Sequence, residues 1–354
     1  MIVEPMNPST PVDLAIMWAE SHEHFIDQGY AWVGITIKPN TIRALKTFDP
    51  QRYAGVSMAA PAGAVRCAAD RINPSSQPTT PADETGLAWD MLSQIGALLK
   101  SDGAASPLSV AARRLYLTGQ SQTAGYARTY ATLFHATTQG SDGRPLFDAY
   151  LYSGSPPWQV PLHQCRADLP AGDIRLMTPA VGVPVVELFA QGDVGTNLAT
   201  RRPDADTTMD RFRRYEIAGA PHVDPWEQLS TASAEDLARA TRGSPPASDA
   251  GCRPQNVAPS DFPTRVVFNA AWRNLDQWVQ RGIAPPHAPL LQVRPGITAE
   301  SFDPEKAFVT DEAGNAKGGV RTPPVDVPTA RWVGAKTGAF PGHHRRGRGL
   351  SASR

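Results

Sequence analysis

Apolar and polar positions along the chain follow two alternating patterns. Short runs rich in Val, Ile, Leu and Tyr stand at 1–4 (MIVE), 31–37 (AWVGITI), 113–118 (RRLYLT), 146–153 (LFDAYLYS), 183–190 (VPVVELFA) and 211–218 (RFRRYEIA). Runs this short and this continuously apolar predict strands covered on both faces. Between them, apolar residues recur at helical spacing over 13–29 (DLAIMWAESHEHFIDQG, closing on Gly29), 85–100 and 123–134. Glycine just past the last periodic residue is a common helix stop. Strands alternating with helix-length crossovers predict an α/β fold, a mostly parallel sheet with helices on both faces. A later helix is expected around AAWRNLDQWV, where Trp272 and Trp278 stand six apart and read as packing residues.

In open sheets of this class, ligands bind beyond the carboxyl ends of the strands, so what each strand delivers there decides the chemistry. RRLYLT is followed by Gly119, Gln120, Ser121, Gln122 and Thr123. VPVVELFA is followed by Gln191, Gly192 and Asp193, and RFRRYEIA by Gly219, Ala220, Pro221 and His222. A neutral serine hydroxyl needs a base to take its proton, and that base needs a carboxylate to fix its tautomer. Taken singly, Ser121 also fits a helix N-cap, Asp193 a turn aspartate and His222 a surface histidine. Together they end three strands in the order Ser, Asp, His that a nucleophile elbow on a parallel sheet requires. A sharp strand-to-helix turn at Ser121 demands small neighbours, which Gly119, Thr123, Ala124 and Gly125 supply, although Thr123 stands where G-x-S-x-G has its second glycine. The expected oxyanion donors are the Gln122 amide at the start of the helix and an amide of the EPMNPST loop. Pro5 and Pro8 carry no N–H, which leaves Met6, Asn7 and Ser9, with Asn7 or Met6 favoured. Glu187, inside its strand, is the second choice of acid. Asp148 begins its strand and so lies at the wrong end of the sheet, while Asp204, Asp206 and Asp210 fall in a polar loop.

The 354 residues, 41% of them hydrophobic, suffice for a full core. Lys plus Arg and Asp plus Glu are both 34, so no global field draws in nucleic acid or an anionic membrane, and neither is expected as a partner. There is no run of eighteen apolar residues, and MIVEPMNPST lacks the basic and apolar regions of a signal peptide. Cys67, Cys165 and Cys252 have no metal-ligand spacing, and no metal or other cofactor is expected. Should one disulfide form, Cys165 with Cys252 is the favoured pair. His22 and His24 are two apart on a helix, so they diverge and read as a solvated face. DEAGNAKGG (311–319) lacks the alternating oxygen ligands of a calcium loop and reads as turns. The proline- and glycine-rich stretches 72–84 and 242–255 read as surface excursions. The basic, glycine-rich tail 338–354 is expected to be a solvated, disordered end rather than a nucleic-acid arm.

The stretches VEPMNPS, GYAWVGITIK with FDPQRYA, LTGQSQTAGY, VPVVELFAQGDV, YEIAGAPHVD, VVFNAAWRNLDQWVQRGIAPP and DEAGNAKGGVRTPPVDVPTARWVG resemble the α/β-hydrolase superfamily. More narrowly, they resemble the bacterial alpha/beta hydrolase domain-containing proteins, which are carboxylesterase-like and frequently exported. The likeness runs over about residues 1–333. It implies Ser121 as nucleophile, His222 as base and Asp193 as acid, the last where relatives often carry an ETD-like triplet. It also implies export to the periplasm or beyond if the N-terminus is incomplete. Members normally carry strands before MIVE, so the first strands are expected to be missing and the GITIK edge unpaired. Past Trp332 the likeness fades, which suggests an incomplete or shifted frame.

The expected organisation is a catalytic core over 1–230 with roofing excursions at 55–110 and 154–182, a C-terminal extension over 231–335 packed on it, and a tail over 336–354. The expected activity is cleavage of a small-molecule carboxylic ester through an acyl-enzyme. Acyl transfer by the same triad and an inactive fragment serving as a binding module are the alternatives. Substrate and oligomeric state are left open by the sequence.

Overall fold

The computed structural model describes residues 1–8, 13–64, 82–102, 106, 108, 110–163, 165, 169, 173–224, 235, 238–239, 258–328, 330–334 and 343–345. Its centre is a seven-stranded sheet of β1 (Ile2–Pro5), β2 (Trp32–Ile35), β3 (Tyr116–Gln120), β4 (Ala149–Ser153), β5 (Pro184–Ala190), β6 (Ala205–Asp206) and β7 (Arg211–Ile217). The order is β2-β1-β3-β4-β5-β7-β6, and every pairing is parallel except β6 with β7. The helices are α1 (Ile16–Asp27), α2 (Pro39–Phe48), α3 (Leu87–Lys100), α4 (Gln122–Leu133) and α5 (Thr264–Arg281).

Period-2 alternation divides the core. Ile2, Tyr116, Leu151 and Val186 join Met17 and Phe25 of α1 and Phe268, Trp272 and Leu275 of α5 in one cluster. Their chain neighbours Val3, Leu117, Tyr150 and Val185 join Ile42 of α2, Leu92 of α3 and Ala124 and Tyr126 of α4 in the other. Successive strand side chains point to opposite faces, so helices are needed on both. Trp272 and Trp278 are buried packing residues.

The structure departs from the sequence expectations in several places. β3 runs on through Gly119 and Gln120, because both still pair with β4 at Tyr152 and Ser153. Helix α1 starts at Ile16 rather than at Asp13, and neither α2, which opens on Pro39, nor β6, which is only two residues long, is among the elements expected from the sequence. Helix α3, inside the stretch expected to roof the site, covers a sheet face instead, because Ala88, Leu92 and Leu99 are buried. His22 and His24 are half-buried, with the His24 ring against Phe25 and Tyr30, so their side is not a solvated face. Of the tail, His343–Arg345 forms the middle strand of a second, three-stranded sheet between Ala258–Pro259 and Arg331–Val333. Strand pairing uses the backbone and needs no apolar side chain, so composition pointed the wrong way here. The remainder of 335–354 lies outside the described residues. Cys165 is disulfide-bonded, while both Cys67 and Cys252 lie outside the described residues, and with them the expected pairing.

Candidate active site

At the end of β3 the chain turns sharply into α4 through Ser121, whose φ of 56° and ψ of −120° make it the sole non-glycine with positive φ among the described residues. Such a backbone is sterically costly and persists only where its surroundings impose it. Three contacts impose it. The Ser121 amide donates to the Ser153 carbonyl at 2.9 Å. A Cβ on Gly119 would stand 2.5 Å from the Thr123 carbonyl carbon and oxygen, so only glycine lets strand and helix approach this closely. Thr123 itself clamps the turn, since its Oγ1 donates to the Gln120 carbonyl at 3.0 Å and accepts from the Gln120 amide at 3.2 Å. The threonine that breaks the G-x-S-x-G pattern thus supplies a side-chain brace.

The turn lifts the Ser121 hydroxyl out of the sheet. Ser121 makes no side-chain cap on α4; its Oγ lies 2.9 Å from Nε2 of His222. His222 Nδ1 lies 2.6 Å from Oδ1 of Asp193. The other carboxylate oxygen of Asp193 accepts from the Ala190 amide at 3.2 Å, and its carbonyl accepts from Asn197 Nδ2 at 3.0 Å. The loops carrying the acid and the histidine are tied by Gln191, whose Oε1 accepts from the Gly219 amide at 2.8 Å. Beneath them, Gly154 after β4 has φ +59°, and a Cβ there would stand 3.0 Å from both Asp193 Oδ2 and His222 Cε1.

Glu187 is turned elsewhere. It accepts from Tyr152 Oη at 3.2 Å and from the Thr178 hydroxyl, and pairs with Arg214 at 3.5 Å, inside the sheet region and apart from His222. Asp148 bonds the Leu115 amide and Lys100 at the opposite strand ends. Asp204 and Asp206 both pair with His287, and Asp210 pairs with Arg202.

Gln122 opens α4 next to Ser121, where helix N-terminal amides concentrate. The Met6 and Asn7 amides do not serve as expected. Met6 N–H donates to the Ile35 carbonyl at 2.9 Å and Asn7 N–H to the Leu14 carbonyl at 2.7 Å, because the chain past β1 keeps pairing instead of opening toward the serine. Asn7 works through its side chain, whose Nδ2 donates to the Gln120 carbonyl at 3.0 Å and props the elbow from outside. Ser9 lies outside the described residues. Sequence reasoning placed Gln120 and Gln191 at the strand ends but gave neither of them, nor Gly154, a role, and only the left-handed glycine has a compositional signal.

The family described as alpha/beta hydrolase domain matches residues 1–346. The chain belongs to this family. No curated protein matches the sequence. The hydrolase fold puts the ends of β3, β5 and β7 on one edge of the sheet, which is why residues about 100 positions apart, such as Ser121 and His222, meet there.

The neighbouring stretch after β4 packs over α4. Arg128 Nη2 donates to the Trp158 carbonyl at 2.7 Å, Thr129 Oγ1 accepts from the Val160 amide at 3.2 Å, and a Cβ on Gly125 would stand 3.0 Å from Pro156. Burial lowers the pKa of the Arg128 guanidinium, with Tyr152 and Glu187 opposing that shift. Among the described residues no group of three or more His, Cys, Asp or Glu side chains fits a metal ion, and no helix is long and apolar enough to cross a membrane.

Proposed function

We propose that this hydrolase cleaves carboxylic esters through an acyl-enzyme on Ser121, with His222 as the base and Asp193 as its orienting acid. The observation that carries the proposal is the continuous hydrogen-bond line from Asp193 Oδ1 to His222 Nδ1 at 2.6 Å and from His222 Nε2 to Ser121 Oγ at 2.9 Å, within the reach that proton transfer needs. In acylation, the Ser121 oxygen bonds to the ester carbonyl carbon as its proton passes to His222 Nε2. The imidazolium then gives that proton to the departing alkoxide, so alcohol leaves and the acyl group stays on Ser121. Water repeats the sequence, regenerating the serine and releasing the acid. Asp193 keeps the Nδ1–H tautomer and stabilises the imidazolium. The Gln122 amide supplies one donor to the oxyanion, helped by the α4 N-terminus. The expected substrate is a small-molecule ester, with neither nucleic acid nor membrane as partner.

The test is labelling with a fluorophosphonate probe and peptide mapping, followed by a screen of p-nitrophenyl esters. Label is expected on Ser121, and Ser121→Ala is expected to lose it together with turnover, by on the order of 10⁴-fold or more, without loss of folding. Wild-type rates in Ser121→Ala would refute the proposal.

A further inference from the structure

Gln120, the residue before the nucleophile, ends β3 and is only 4% exposed. Its backbone is pinned from outside by Asn7 and from within by Thr123, and its carboxamide reaches across to the histidine loop. Nε2 donates to the His222 carbonyl oxygen at 3.0 Å. A carbonyl can only accept, so this bond decides which end of the amide faces the histidine. The same Nε2 consequently lies 3.4 Å from His222 Nε2, the ring nitrogen that also meets Ser121 Oγ. The other end, Oε1, is buried and has no hydrogen-bond partner among the described residues. Leaving that acceptor unpaired costs free energy, so the amide is oriented for what its nitrogen does.

We infer that Gln120 is a positioning residue that favours His222 as the neutral base, by donating a second hydrogen bond to the Nε2 lone pair. The inference rests on the triad proposed above. With Nδ1–H donating to Asp193, neutral His222 has one lone pair, on Nε2, which accepts from Ser121 and from Gln120. Once Nε2 carries a proton, the Gln120 N–H faces another N–H, so the amide weakens the imidazolium and not the free base. The charged groups around the ring pull the other way. Asp193 faces Nδ1, while Glu20 of α1 and Asp224 after β7 line the same small cavity as His222, together with Gln120, Ser153 and Thr264. Carboxylates near a histidine raise its basicity and keep it protonated, hence inactive as a base, over more of the acid range. Gln120 supplies a counterweight without introducing a positive charge.

The experiment follows the rate of fluorophosphonate labelling against pH, which needs no knowledge of the natural ester. It compares wild type with Gln120→Met and Gln120→Leu, which keep bulk and remove the donor, and adds the NMR titration of the His222 ring. The acid limb is expected to move upward by roughly half a pH unit or more in both variants, with the ring titration moving equally. An acid limb that coincides with wild type in either folded variant would overturn the inference while leaving the triad intact. Failure of the wild-type protein to take label at Ser121 would instead overturn the triad, and the inference with it.

Discussion

Ser121 holds a backbone conformation that costs a non-glycine residue on the order of 1–3 kcal/mol, and the neighbours that enforce it are small or specifically bonded. Gly154 is the sharpest case. It needs positive φ, and its missing Cβ leaves room for Asp193 and His222 to meet. Gly154→Ala is expected to push the two apart and slow fluorophosphonate labelling by about tenfold or more, since under the proposed mechanism they act as a pair and small misplacements of reacting groups are expensive. Melting curves on the same samples should show that the protein still folds. At this scale the sequence was informative where position along a strand fixes direction: Ser121, Asp193 and His222 each follow a strand end, and each reaches the same edge. It was uninformative about Met6 and Asn7, because whether an amide is available depends on which carbonyl lies opposite it. Ile35 and Leu14 take those two amides, and no local pattern announces that pairing.

Strand β7, RFRRYEI, carries three arginines and a glutamate, yet all but its first residue are buried. What allows this is mutual satisfaction of its charges. Glu216 accepts from Arg201 at 2.9 and 2.5 Å, from Arg214 Nε at 3.2 Å and from the Leu291 amide at 3.0 Å. Arg214 also stacks 4.0 Å from the Phe189 ring centroid and bonds Thr200 and the Asn197 carbonyl. Buried charges persist only when paired and hydrogen-bonded. Glu216→Gln would leave two arginines facing an amide, and a loss of about 3 kcal/mol or more in urea unfolding is expected. Because β7 also carries the loop to His222, labelling at Ser121 should fall at urea concentrations where the wild type is still fully active. The sequence reads β7 as a strand from its aromatic and β-branched residues, but the partners of its charges come from 201 and 291, distant in the chain.

At the scale of the whole molecule, acid groups sealed between layers couple stability to pH. Glu4, at the end of β1, accepts from the Met17 amide at 2.8 Å, the Trp18 amide at 3.1 Å and Trp32 Nε1 at 2.8 Å, joining β1, α1 and β2. Burial nevertheless outweighs these donors and pushes its carboxyl up to about 7, and burial likewise pushes Asp13 up to about 6. A carboxyl whose folded pKa exceeds its unfolded value, near 4.3 for Glu, holds its proton longer in the folded state. Its stabilisation is therefore complete below that unfolded value and is lost as pH rises to about 7. Unfolding in urea at pH 5 and pH 8 is expected to show less stability at pH 8 in the wild type, and a smaller difference in Glu4→Gln; an equal difference in the two proteins would exclude Glu4 as the source. By itself the sequence determined the layered α/β architecture and the three residues delivered past its strands, because hydrophobic periodicity and chain direction are local properties. Only the tertiary structure decided which amides are spent, how Gln120 is turned, that α3 covers the sheet and that part of the tail joins a second sheet. Those depend on partners far away in sequence, and the free energy of a hydrogen bond or a buried charge belongs to the pair and not to either residue.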